Sequence, residues 1–143
     1  MRRALDLAAE AASAGEVPVG AVITHGEEIV AEARNAMRGS IDPTAHAEIV
    51  AIRRAAEALG QPRLDGCTLW VTLEPCAMCA AAASLARLDA VRYAADDPKG
   101  GGVVHGARIF SQRTCHHRPE VLGGIGDTES AALLKRFFEE RRS

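Results

Sequence analysis

Aromatic residues are scarce in this sequence: one Trp, one Tyr and three Phe among 143 residues. So few rings limit any surface that would hold a nucleic acid by stacking bases along its length. An excess of one charge is missing too, because the formal net charge is −2. A chain this close to neutrality has no large basic footprint as a whole. Nowhere does an apolar run reach the roughly 18 residues that a helical membrane span requires, so no span is expected. The start, Met1-Arg2-Arg3-Ala4-Leu5, carries the charge of a signal peptide, but Asp6 and Glu10 interrupt what would be its apolar stretch, and secretion is not expected. Cysteine is held to four residues, which fits a reducing cytoplasm better than a disulfide framework. Internal repeats and low-complexity linkers are absent. What remains is the composition of an ordinary globular chain, 48% hydrophobic and 25% charged, read as one domain over residues 1–143 that buries its surface around a single core.

Positive charge is spread unevenly. Arg136, Arg141 and Arg142 gather near the end, and Arg108, Arg113, His116, His117 and Arg118 lie in the segment before it, so a local basic patch fits a neutral whole. Leu5, Ala8, Ala9 and Ala12 recur at helical spacing and predict a first amphipathic helix ending at Gly15. Val17 to Thr24 and Glu28 to Ala33 flank His25-Gly26-Glu27 as a hairpin. Asn35 to Ile41 reads as a loop, and Thr44 to Leu59 as a helix closed by Gly60. The nearly continuous apolar run Cys67 to Leu73 predicts a strand covered on both faces. With a helix over Cys76 to Arg87 and a strand over Ala90 to Ala95, it forms a βαβ unit with parallel strands. Val104 to Cys115 carries no assignable pattern. Asp127 opens a last helix with Leu134, Phe137, Phe138 and Arg141 on one face, where two phenylalanines predict core for at least one of them. The expected fold is α/β, a three-layer α/β/α sandwich with a central mixed sheet.

Chemistry concentrates in two short segments, His46-Ala47-Glu48 and Pro75-Cys76-Ala77-Met78-Cys79. One imidazole and two thiolates make the three protein ligands of a catalytic zinc whose fourth position is kept for water. Glu48 is then free to move protons. Asp42 as N-cap with Pro43 behind it, and Pro75 at a first helical position, predict that both segments open helices, where the dipole favours thiolate. A structural zinc would need a fourth ligand from His105, Cys115, His116 or His117. A carboxylate two residues after the histidine has no purpose in such a site. A catalytic zinc, one per subunit, is the reading adopted. Cys67 is expected in a buried strand, and Cys115 is either a further ligand or inert. Asp96 to Gly102 is a polar, glycine-rich loop beyond a strand's carboxyl end, where α/β folds place sites. Its Gly100-Gly101-Gly102 is too irregular for a phosphate loop, so no nucleotide cofactor is expected.

The pattern H-x-E…P-C-x-x-C marks zinc-dependent nucleobase deaminases, and its flanks narrow the field. Gly15-Glu16-Val17-Pro18-Val19-Gly20-Ala21-Val22, Asp42 to Ile49, Val71 to Cys79, Asp97-Pro98-Lys99 and Leu133 to Phe138 with Arg141-Arg142 resemble the bacterial tRNA-specific adenosine deaminases over nearly the whole chain. The resemblance implies a cytidine deaminase-like fold, a homodimer, and conversion of the wobble adenosine of an arginine tRNA to inosine. It implies that Glu48 shuttles protons during attack on C6 of a flipped-out adenine. It assigns Asn35 to the purine, Val19 to packing on the base, and Asp97 to the ribose, where a carboxylate can accept from a 2′-hydroxyl. Lys99 goes to a phosphate, the Ala45 and Glu74 backbone to the pocket lining, and Phe137, Phe138 and Arg141 to the anticodon loop. An apolar patch near Met78 to Leu88 is the expected part of the dimer face. Departures from the family pattern are Ala81 two residues after the second cysteine, Trp70 before Val71, the Gly101 to Gly106 segment, and Cys115-His116-His117-Arg118. They keep a second substrate class open: a free nucleobase or nucleoside such as guanine or cytosine.

Overall fold

The hairpin read around Gly26 forms as β1 (Gly20–His25) and β2 (Glu28–Arg34), and the apolar runs form β3 (Cys67–Leu73) and β4 (Ala90–Ala95) at the expected bounds. The computed structural model describes residues 1–142; the side chain of Arg142, part of the C-terminal basic cluster, lies outside the described residues. A fifth strand, β5 (Glu120–Leu122), completes the sheet in the order β2-β1-β3-β4-β5. Strand β1 is antiparallel to β2 and β3, whereas β3, β4 and β5 run parallel, so the sheet is mixed.

Helices cover both faces. One layer holds α1 (Arg2–Ser13) and α5 (Asp127–Arg142), which pack together. The opposite layer holds α3 (Ala47–Leu59) and α4 (Ala77–Leu85) over the larger core of Ile23, Leu69, Val71 and Leu88. A four-residue helix, α2 (Met37–Ser40), follows the hairpin where a loop was predicted, and a 3-10 turn at Ile109–Ser111 occupies the segment without a pattern. The α1 face differs from the predicted one. Ala4, Leu5, Leu7, Ala8 and Ala11 are buried, while Ala9 is exposed, because the stripe follows the approach of α1 to β1. That approach requires Gly20, where a Cβ would collide with the Ala4 carbonyl and the Ala8 nitrogen.

Both helices of the site layer start later than predicted. Asp42 does not cap α3; its Oδ1 accepts from the Thr44 N–H (2.9 Å) and hydroxyl (2.7 Å), closing a turn ahead of the helix. The N-cap residue of α3 is His46, and that of α4 is Cys76, each with extended backbone. Pro75 therefore precedes the cap of α4 instead of opening the helix. At the outer edge of the sheet, Arg54 donates to the Glu32 carbonyl (2.8 Å), and at the opposite edge Arg92 pairs with Glu120 (2.6 Å).

Candidate active site

The starts of α3 and α4 meet. His46 Nδ1 lies 3.6 Å from Cys76 Sγ and 3.5 Å from Cys79 Sγ, and the three ligand atoms all fall within 4.8 Å of one another. A nitrogen and two sulfurs gathered at this spacing fit the donor set of a tetrahedral zinc with one position left open. No fourth histidine, cysteine or carboxylate joins the group among the described residues. Of the four residues available for a structural site, three are engaged elsewhere and His116 is exposed outside the group. His105 pairs with Glu74, Cys115 contacts Ser84, and His117 Nε2 lies 2.6 Å from the Leu88 carbonyl.

Cavity walls come from the ends of several elements. Val17, Val19, Asn35, Met37, His46, Glu48, Leu73, Glu74, Cys76 and Asp97 enclose about 190 Å³. Of the metal, catalytic and substrate residues predicted from sequence, Cys79, Ala45 and Lys99 stand outside this lining, Cys79 being fully buried. The Ala45 carbonyl accepts from the Ala36 N–H (3.1 Å), which ties the α2 start to the turn before His46. Lys99 is exposed on the rim loop. Val17, Met37 and Leu73 were not singled out from sequence; Val17 lies in a quoted motif, but nothing local distinguishes Met37. A larger groove of about 280 Å³ runs beside α4, lined by Ala81, Leu85 and Ile109 among others. It does not include the ligand group, and the smaller cavity is the one whose polar groups converge.

Glu48 sits in the first turn of α3 with its carboxyl buried. Burial foremost, and the neighbouring Cys76 next among the raising causes, push it up to about 7. A carboxyl poised there can both take and return a proton near neutral pH. Among the thiols, Cys76 is pulled down to about 4, chiefly by a hydrogen bond from Cys79, with His46 adding to it; Cys79 is raised by the same bond and by burial.

Asn35 follows β2 and is buried. Its N–H donates to the Val19 carbonyl (3.1 Å), and its Oδ1 accepts from the Ala47 N–H (2.8 Å). The amide oxygen thus caps α3 in place of His46, whose side chain faces the sulfurs. That leaves Nδ2 as the amide group able to meet a ligand. Asp97 reaches the cavity from the loop after β4, its Oδ1 accepting from the N–H of Lys99 (3.2 Å) and Gly100 (2.9 Å).

Such a centre matches known proteins over its whole surroundings. The model of the MafB19-like deaminase family matches residues 1–142. The tRNA-specific adenosine deaminase of Agrobacterium fabrum is 55% identical over 136 residues, which cover 93% of this chain and 90% of the relative. The chain belongs to the tRNA-specific adenosine deaminase family. The Bacillus subtilis tRNA-specific adenosine deaminase is 42% identical to this deaminase over 142 residues, 99% of this chain and 88% of the relative. A solved structure from work on A-to-I editing by tRNA deaminases at the wobble position superimposes with a TM-score of 0.92 at 53% identity, covering 94% of this deaminase and 97% of that chain. The α/β sandwich expected from sequence is therefore the fold of the deaminase.

Proposed function

We propose that this chain is a zinc-dependent hydrolytic deaminase that converts the wobble adenosine of an arginine tRNA anticodon to inosine, with release of ammonia. The observation that carries the reading is the gathering of His46, Cys76 and Cys79 into one ligand group, with His46, Cys76 and buried Glu48 lining one cavity, in a chain 55% identical to a tRNA-specific adenosine deaminase. His46 Nδ1 and the two sulfurs would hold one zinc ion per subunit. When bound, zinc supplies a Lewis acid that brings the pKa of a water toward neutrality. Glu48 takes a proton from the attacking water as oxygen joins C6. Its carboxyl returns that proton to the ring nitrogen N1. A second proton, taken from the new C6 hydroxyl and passed to the amino group, lets the C6–N bond break and ammonia leave as the C6 carbonyl forms. Asn35 Nδ2 donates to the base and fixes its rotation in the cavity. Val17, Val19 and Leu73 pack on its faces and exclude water from the proton path.

Beyond the base, Asp97 accepts from the target ribose and Lys99 meets a phosphate. A neighbouring groove of about 330 Å³ shares Val17, Asn35 and Met37 with the cavity and adds Arg38, Phe137 and Arg141, room for an adjoining nucleotide. There the Arg141 guanidinium stands 4.5 Å over the Phe137 ring. Phe137 is buried as the predicted core member of its pair, and Phe138 is 44% exposed. The active form is a homodimer in the cytoplasm. An exposed apolar stretch of α4, with Met78 at 36% and Leu85 at 81% exposure, supports the first part, and four free thiols support the second.

The test is deamination of an anticodon stem-loop carrying a wobble adenosine, beside free guanine, cytosine, adenosine and cytidine. Inosine in the stem-loop is expected. Glu48→Ala should lower kcat by about 10²–10⁴-fold, the range for a positioned proton donor and acceptor, with zinc content unchanged by elemental analysis. Turnover of a free base with an inert stem-loop would replace this reading with that of a small-molecule deaminase.

A further inference from the structure

The proton chemistry makes no use of Glu74, yet its carboxylate is wholly buried and takes five hydrogen bonds. Oε1 accepts from the Asp97 N–H (3.1 Å) and from His105 Nδ1 (2.7 Å). Oε2 accepts from three successive backbone groups, the N–H of Val103 (3.1 Å), Val104 (3.0 Å) and His105 (3.1 Å). Four backbone N–H groups already donate to the two oxygens, so the carboxylate is the acceptor throughout and His105 Nδ1 carries the hydrogen.

This arrangement grips the loop of residues 97–105 at both ends. Between the grips, Gly101 and Gly102 pass so close that added Cβ atoms would strike the Glu74 carboxylate and the Cys76–Ala77 backbone. Gly102 also donates to the Pro75 carbonyl (2.8 Å). The loop that bears Asp97 is thereby fastened to the turn that bears Cys76.

We propose that His105 is a positioning residue: acting through Glu74, it fixes where Asp97 stands at the cavity mouth and so sets how tightly the substrate nucleotide is held. His105 does not line the cavity, and at 33% side-chain exposure it can be replaced without opening the core. The inference rests on the reading of Asp97 as a substrate contact in the tRNA reaction. His105→Ala removes the side-chain donor; His105→Asn places an amide N–H where Nδ1 stands.

Zinc-loaded protein and the two variants are assayed on the wobble-adenosine stem-loop, with amide exchange followed at residues 97–105 in the same samples. For His105→Ala, KM is expected to rise about tenfold, the loss typical of one hydrogen bond to a charged group, with kcat and zinc content held within about twofold. Exchange at residues 103–105 is expected to quicken, and His105→Asn to restore both KM and protection. An unchanged KM in His105→Ala, or a fall in thermal stability alone that Asn does not repair, overturns the proposal. Turnover by the unsubstituted protein, measured first, decides the tRNA reading separately. If it deaminates a free base instead, the tRNA reading fails, and amide exchange at residues 97–105 alone still judges whether His105 fixes the loop: unchanged exchange in His105→Ala overturns the proposal.

Discussion

Asn35 makes two contacts with one amide, and substitution can separate them. Its Oδ1 stabilises the first turn of α3 through the Ala47 N–H at 2.8 Å, while Nδ2 is assigned to the base. Asn35→Asp keeps an acceptor on the helix start, where the dipole favours a negative group, and loses the donor. Asn35→Ala loses both. Losing a cap costs about 1 kcal/mol, which for a chain of this size lowers Tm by about 4 °C. Losing the donor to the base removes about 1–1.5 kcal/mol from the transition state, or about tenfold in kcat/KM. Scanning calorimetry and stem-loop kinetics on both variants should therefore show a similar drop in kcat/KM for each, with Tm falling in Asn35→Ala alone. An Asn35→Asp variant that turns over normally would refute the assignment of Nδ2 to the base. An Asn35→Ala variant with unchanged Tm would refute the capping argument.

Two further outcomes concern the scaffold. Gly20→Ala should destabilise the fold by at least about 2 kcal/mol, since the new methyl overlaps α1 backbone that cannot step aside; urea unfolding should show a lower midpoint at unchanged slope. Arg3 grips Glu32 in a two-pronged pair at 2.9 and 2.8 Å, and chiefly through that hydrogen bonding it holds the carboxyl below its usual range. A depressed folded pKa stabilises above the unfolded value and ceases to do so as pH falls through the folded one. Glu32→Gln should therefore unfold more easily than the parent at pH 7 and converge with it in acid, by a small margin because both groups are partly exposed; equal gaps at both pH values would contradict this.

Where local pattern and tertiary demand agree, the chain announces its structure. Cys67 to Leu73 and Ala90 to Ala95 are strands at the bounds their apolar runs suggest, and their parallel pairing follows from the helix between them. Gly60 closes α3 in the left-handed conformation that its position predicts. Disagreement is concentrated around the site. Asp42-Pro43 and Pro75 carry strong helix-start signals, yet α3 and α4 begin at the ligands themselves, because His46 and Cys76 must turn toward each other and not along their helices. The cap that His46 gives up is supplied by Asn35, twelve residues before the Ala47 N–H it accepts from, a pairing no local rule contains. Glu74 next to Pro-Cys reads as backbone lining; only the fold reveals that its side chain gathers residues 97–105. Strand β5 is three residues long and shows no alternation to find.

The two borders of the sheet bear on how copies of the molecule can meet. Along β2, Glu28 and Glu32 place negative charge and Arg54 occupies a carbonyl. Strand β5 is short, with an ion pair beside it. Neither border offers the long, flat row of free backbone groups on which a second sheet could extend. Growth into ribbons is thus discouraged at both sides, and the exposed apolar surface at Leu85 lies on the helical layer, away from either border.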